Sequence, residues 1–293
     1  MKIIHISDLH ILEIKATPLD FLNKRIIGGL NIYFNRKGEY LTENVEKLFN
    51  DINKQKFDHI IITGDFTNLA LPSEFKKAKE LLEMLGDHSK ISIVPGNHDS
   101  YTRKAFRKKY FQKYFDKWLI NDLKVEKNKK SDKKFPYVRL LDDNIAVIGF
   151  NTSITSCCFC SAGKISNYQI KEFEKMMESS QLKDRYKIVL IHQDLKKVSK
   201  FEEWSSGIRD RKKIVKLFSK HKIDLVLHGH RHYNTEYQID EENYKLKIIE
   251  TAASARYTKN SSGSYSIYEI KENEIKDRKV RYLDFKTKEY RDK

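Results

Sequence analysis

Apolar and polar positions along the chain follow two alternating rhythms. Short β-branched runs, "KIIHIS" (2–7), "DHIIIT" (58–63) and "KISIV" (90–94), read as strands. Between them, "TENVEKLFNDINKQ" (42–55) and "PSEFKKAKELLEML" (72–85) repeat apolar residues every three or four positions, as a helix with one buried side does. Thr42 is the expected N-cap of the first helix; a proline opens the second and Gly86 closes it. Strand–helix alternation of this kind implies a largely parallel sheet with helices on its faces.

The same reading continues down the chain. Phe106, Tyr110, Tyr114 and Trp118 recur every four residues among Lys and Arg, which predicts a helix packing its aromatic side onto the domain. "FPYVRLL" and "NIAVIGF" form a hairpin around 142–144, then helices at about 167–180 and 208–220 alternate with strands at 186–192 and 223–228. From 233 the pattern turns to short strands with polar turns. No repeat or linker interrupts it, so residues 1–293 are expected to form a single domain. Within it, 101–134 is a basic, aromatic helical insertion and the part from about 233 is β-rich.

Composition adds limits. At 39% hydrophobic and 33% charged the chain is globular, and no run of about 18 apolar residues occurs to span a membrane. The opening "MKIIHISDLH" lacks a signal peptide's long apolar core, so a cytoplasmic protein is expected. Cys157, Cys158 and Cys160 are not a disulfide framework; their C-x-x-C has no second pair and reads as a free, reduced loop. Much of the +16 net charge sits in 103–134, with 13 Lys or Arg against 4 Asp or Glu. That segment reads first as a solvated lysine-rich surface. The alternative is a basic arm for an anionic substrate, a nucleic acid (not favoured), or peripheral contact with the inner membrane face. Oligomeric state is not legible.

Ligand-type residues collect where the strands end. "SDLH" brings Asp8 and His10, "TGDFTN" brings Asp65 and Asn68, and "PGNHD" brings Asn97, His98 and Asp99. The strand at 186–192 ends on His192, and that at 223–228 runs into "HGHRH" with His228, His230, Arg231 and His232. Singly, each is ordinary loop or core chemistry. Together, on the C-terminal edge where open α/β sheets place their sites, they have no structural explanation. Mixed imidazoles and carboxylates suit Mn, Fe, Zn or Co better than Ca or Mg.

In this order, "DLH", "GDFTN", "GNHD", "IH" and "GHRH" resemble the calcineurin-like metallophosphoesterase superfamily over residues 3 to about 235. The resemblance implies a four-layer α/β/β/α sandwich with mixed sheets and two divalent transition metals, with Mn or an Fe/Mn pair favoured. It gives one metal to Asp8, His10 and His232, the other to Asn97, His192 and His230, and makes Asp65 the bridge. A hydroxide between the two metals would attack phosphorus in line, and His98 would stabilise the transition state or protonate the leaving alkoxide.

Other assignments are looser. Asn68 stands where some members carry an aspartate that orients the "GNHD" histidine. It and Arg231 are candidate substrate contacts, while Asp99 and His228 read as supporting residues around the ligands. The start "HISDLH" and the region 206–232 are similar to bacterial cyclic-nucleotide phosphodiesterases, implying a small phosphate ester such as a 3′,5′-cyclic nucleotide as substrate. The alternatives are a hydrolase of the UDP-2,3-diacylglucosamine type working at a membrane face, and a nuclease. A scaffold that has lost its metals fits least, because the ligand set is intact.

Overall fold

The computed structural model describes residues 1–15, 17, 24–35, 38–123, 134–155, 160–258 and 261–292. Cys157, Cys158 and most of the lysine-rich stretch after Leu123 lie outside the described residues. The run "HIII" is buried at every position, as a central parallel strand covered on both faces must be. It forms β2 (His59–Ile62), between β1 (Lys2–Ile6) and β3 (Ile91–Ile93), and all three run parallel.

A second sheet follows in the chain: β4 (Tyr137–Leu140), β5 (Ile145–Gly149), β6 (Tyr186–Leu190), β7 (Leu225–His228), β8 (Thr235–Glu241) and β9 (Tyr244–Glu250). Its order is β4-β5-β6-β7-β9-β8, parallel in the middle and antiparallel at both edges. After a two-stranded ribbon of β10 (Tyr257–Thr258) and β11 (Ser261–Ser262), the chain returns to the first sheet. There β12 (Ser264–Lys271), β13 (Glu274–Leu283) and β14 (Tyr290–Asp292) complete the order β14-β13-β12-β1-β2-β3. The C-terminal strands therefore divide between the sheets, and β12 pairs antiparallel with β1.

Alternation along the strands defines the layers. In β6, Ile188 and Leu190 join one apolar cluster with Ile4 and Ile60 of the first sheet, so the sheets face each other there. Val189, from the same strand, packs the other way with Phe173 of α6 (Asn167–Met177) and Phe218 of α8 (Arg211–Lys220). The helices α2 (Thr42–Asn53) and α3 (Pro72–Leu82) bring Leu48, Phe49, Phe75 and Leu81 to the first cluster. This is the mixed α/β/β/α sandwich. Leu41, not Thr42, takes the N-cap position of α2, and Thr42 becomes its first helical residue.

The aromatic stretch departs from a single helix. Lys109 adopts φ 51 and breaks it into α4 (Arg103–Arg107) and α5 (Tyr110–Tyr114), followed by a 3₁₀ turn at Asp116–Trp118. The break rotates Phe106 outward, while Phe111, Phe115 and Trp118 are buried and Tyr114 stacks on Phe75 at 5.4 Å. Two helices absent from the sequence expectations are α1 (Arg25–Asn35) and α7 (Lys200–Ser205).

Candidate metal centre

The loops leaving β1, β2, β3, β6 and β7 meet at one edge of the sandwich. Asp8 N–H donates to the Gly64 carbonyl (3.0 Å) and His10 N–H to that of Asp65 (2.9 Å), zipping the first two loops together. Asp8, His10, Asp65, His230 and His232 all sit at φ between 47 and 79°, the left-handed region that few non-glycine residues occupy. Backbone strain of this kind gathers where the surrounding structure over-determines a functional arrangement. Closeness also dictates glycine at 96 and 229: a Cβ at Gly96 would overlap the Asp65 carboxylate, and one at Gly229 would overlap Ser7 and the Asp8 carboxylate.

The donors fall into overlapping sets. Asp8, His10 and His232 offer atoms mutually within 4.8 Å, as do Asp8, Asp65 and His192, and also His10, Asp65 and His98. His232 Nε2 stands 3.1 Å from Asp8 Oδ1 and 3.3 Å from His10 Nε2. His10 Nε2 is 3.8 Å from both Asp8 and Asp65. Across Asp65, His192 Nε2 lies 3.3 Å from Oδ2 and 3.1 Å from Asn97 Oδ1. Ligands about 2.1 Å from a shared tetrahedral ion stand roughly 3.4 Å apart, so both sides of Asp65 have the right spacing.

Tautomers support the same conclusion. His192 Nδ1–H donates to the Thr63 carbonyl at 2.7 Å, which leaves Nε2 facing two oxygens. Such a point needs a positive charge, either a proton or a metal. Without metal it draws a proton: against the cost of burial, the carboxylates of Asp65 and Asp8 lift the His192 pKa to about 9. Asp65 in turn is held well below its ordinary range, desolvation being outweighed by His192 and His98. Asp8 is lowered likewise, burial again opposing and His232 prevailing. His10 is pushed well below the usual histidine value by burial and then by His98. Its Nδ1 is buried with no hydrogen-bond partner among the described residues. The donor set fits divalent transition metals: imidazoles, desolvated carboxylates and one amide oxygen, with the outward nitrogens of His192 and His230 pinned to backbone carbonyls.

His230 is placed differently from its expected companions Asn97 and His192. Its ring lies 5.1 Å from that of His192, but Nε2–H donates to the Ser206 carbonyl (2.8 Å) just after α7, so Nδ1 is its free nitrogen. Burial, and then His192, lower its pKa to about 3, leaving the ring neutral. His98 Nδ1–H donates to the backbone carbonyl of Asn68 (2.6 Å), and its ring stands edge-on to His10 at 4.8 Å and stacked on Tyr101 at 5.5 Å.

Two expected substrate contacts are spent elsewhere. The Asn68 amide is buried and donates to the His10 carbonyl, so this residue holds His10 and His98 in place. Arg231 turns its guanidinium to Glu202 (2.5 Å) and toward Asp194 (3.5 Å), which fastens α7 to the "GHRH" loop. The Asp99 carboxylate accepts from the N–H groups of Gly96, Phe66 and Thr67 and from the Thr67 hydroxyl, and burial, then the nearby Asp65 charge, push its pKa up to about 7. His228 is buried, with Nδ1 on the Gly229 carbonyl and Nε2 3.8 Å from Asp194. Sequence reasoning passed over Tyr40, whose hydroxyl is 3.2 Å from His232 Nδ1 and whose ring meets His10 at 4.6 Å. Nothing local in "GEYLTEN" marks it. Tyr101, directly after "GNHDS", carried a positional signal.

Residues 1–234 match the family model described as calcineurin-like phosphoesterase. Solved structures of similar fold include the purple acid phosphatase PPD1 from seeds of yellow lupin (Lupinus luteus), 12% identical with a TM-score of 0.58 over 99% of this chain and 52% of that one. A dimetal phosphatase from Danio rerio is 10% identical with a TM-score of 0.59, over 96% of this chain and 95% of that one. The chain thus spans about half the length of the lupin protein. At these identities the likeness establishes the fold. No curated protein matches the chain in sequence.

Proposed function

The chain belongs to the calcineurin-like phosphoesterase family, the metal-dependent hydrolases of phosphoric esters, and from that premise we propose that it cleaves small phosphodiesters, 3′,5′-cyclic nucleotides foremost. The observation that carries the reading is the convergence of neutral imidazole nitrogens and carboxylate oxygens on either side of Asp65. Asp8, His10 and His232 would hold one metal; Asn97 and His192, with His230 through Nδ1, would hold the other; Asp65 would serve both. When bound, such a pair supplies Lewis acidity toward phosphoryl oxygens and lowers the pKa of water.

The remaining work falls to the chain's own residues. Asn68 keeps the His98 proton on Nδ1, so a second proton on Nε2 is the one His98 can deliver. In hydrolysis a new P–O bond forms from water while the ester P–O bond breaks, and the departing oxygen takes the proton from His98 Nε2. Tyr101, stacked on the ring, limits how far that nitrogen can swing. The preference for cyclic nucleotides rests on the similarity of "HISDLH" and of residues 206–232 to that phosphodiesterase group.

A substrate panel tests the reading. Protein loaded with Mn is assayed on bis-p-nitrophenyl phosphate, p-nitrophenyl phosphate, cyclic AMP, a UDP-linked lipid and single-stranded DNA. Turnover of the diester and of cyclic AMP, abolished by a chelator, is expected. Turnover confined to the lipid or to DNA would overturn the substrate assignment.

A further inference from the structure

Helix α1 shows its apolar side to solvent. Ile26, Ile27 and Leu30 are 45%, 37% and 52% exposed on adjacent turns, and the helix has no acidic residue in its first turn. This face is held firmly. Arg25, itself buried, donates from Nε to the Leu69 carbonyl (2.8 Å) and from Nη2 to that of Ala70 (2.6 Å). Gly28 presses on Tyr101, whose hydroxyl would lie 2.6 Å from any Cβ there, and the Lys24 ammonium sits 4.6 Å over the Tyr101 ring. Tyr101 is the residue stacked on His98, so α1 stands at the rim of the metal centre.

One residue beyond Tyr101, Thr102 caps α4, which adds exposed Phe106 and the exposed cations Arg103, Lys104 and Arg107. No carboxylate occurs from residue 103 to 115. An exposed aliphatic face and a run of cations, linked through Tyr101, fit a partner with both characters, an apolar layer beneath a sheet of negative charge. We propose that α1 and α4 form a docking face for an anionic lipid bilayer. Ile26, Ile27, Leu30 and Phe106 enter the boundary between headgroups and acyl chains, and the cations of α4 meet lipid phosphates. A nucleic acid would satisfy the cations but leave the aliphatic side chains in water. The contact is peripheral, because no helix among the described residues is long and apolar enough to cross a membrane. It also sets the rim of the metal centre against the bilayer, whichever ester the centre cleaves.

Flotation of the full chain with vesicles tests this without any turnover. Phosphatidylcholine vesicles, the same vesicles with phosphatidylglycerol, and a single-stranded oligonucleotide serve as probes. Binding to the phosphatidylglycerol vesicles is expected. Replacing Ile26 and Leu30 together by Ser weakens it about tenfold or more. Replacing Arg103 and Lys104 by Gln weakens it roughly 30-fold, from about 1 kcal/mol for each basic residue near an anionic surface. Both variants keep the thermal transition and the metal-dependent hydrolysis of bis-p-nitrophenyl phosphate. No binding to anionic vesicles, serine variants that bind as tightly as the parent, or tighter capture of the oligonucleotide would each overturn the proposal.

Discussion

Asp99 offers a sharp test of how the centre is held together, because its carboxylate ties the loop of Asp65 to the loop of Asn97 and His98. Oδ2 accepts from Gly96 N–H (2.9 Å) and Phe66 N–H (3.3 Å), and Oδ1 from Thr67 N–H (3.0 Å) and the Thr67 hydroxyl (3.0 Å). In Asp99→Asn the amide oxygen can keep the Gly96 and Phe66 bonds while its NH2 group faces Thr67. The Thr67 hydroxyl then accepts from that NH2 and turns its own proton to the His98 carbonyl, already 3.3 Å away. Only the Thr67 N–H is stranded, a loss of about 1–3 kcal/mol, offset in part because the amide lacks the buried charge that Asp65 opposes. Asp99→Ala strands three buried N–H groups and should cost about 3 kcal/mol at the least, counting the smallest penalty for each. Urea denaturation in the presence of a chelator reads these losses without metal. Metal competition then reads a second effect, affinity weakened roughly 10–100-fold because a partner of the ligand loops is gone. Equal losses for Asn and Ala, or an Ala loss below about 1 kcal/mol, would refute the clamp.

Other outcomes follow from the same geometry. His98→Ala should lower kcat roughly 10²–10⁴-fold, while metal content, read by elemental analysis, stays at the parent level; unchanged turnover would remove His98 from proton transfer. Gly96→Ala should displace Asp65 and reduce bound metal as well as the melting temperature, both measurable on one sample. Glu74 accepts from Leu69 N–H (2.9 Å) and Leu71 N–H (3.0 Å), and burial pushes its pKa up to about 8 from an ordinary 4.5. Its contribution to stability is therefore complete below the unfolded value and lost as pH rises through about 8. Across that window the melting temperature of Glu74→Gln should vary less with pH than that of the parent, and parallel curves would contradict the buried acid.

What could be read beforehand was local. The candidate ligands follow directly on apolar runs, so period and residue type together placed Asp8, Asp65, Asn97, His192 and His230 at strand ends. Destinations were another matter. Nothing in "SYSIYEI" says that it pairs antiparallel with β1, because that register joins residues over 260 positions apart. The break at Lys109 had no glycine or proline to announce it. It follows from burying Phe111 and Phe115 against Phe66, a contact set by tertiary packing. Helix α1 was hidden for a different reason: "RIIGGLNIYFN" carries two glycines and a solvent-facing apolar side, which obscures helical periodicity. Asn68 and Arg231 were residue types suited to a phosphate, but their partners, the His10 carbonyl and the carboxylates of Asp194 and of Glu202 on α7, are distant in the sequence.

The centre can also be recognised without its motifs. Left-handed backbone at five donor positions costs on the order of 1 kcal/mol or more at each, and a chain selected only for stability would place glycine or asparagine there. The carboxylates of Asp8 and Asp65 are desolvated among imidazoles, and the remaining nitrogens of His232, His192, His98 and His230 are held by Tyr40, Thr63, Asn68 and Ser206. These partners do not relieve the crowding of lone pairs; they fix it, by keeping protons on the outward nitrogens of His192, His98 and His230. A core under pressure only to fold would rotate one ring and pair it with a carboxylate. Holding the inward nitrogens bare beside anionic oxygens is stable only with positive charge between them, and two such points, one on each side of Asp65, give the centre room for a pair of ions.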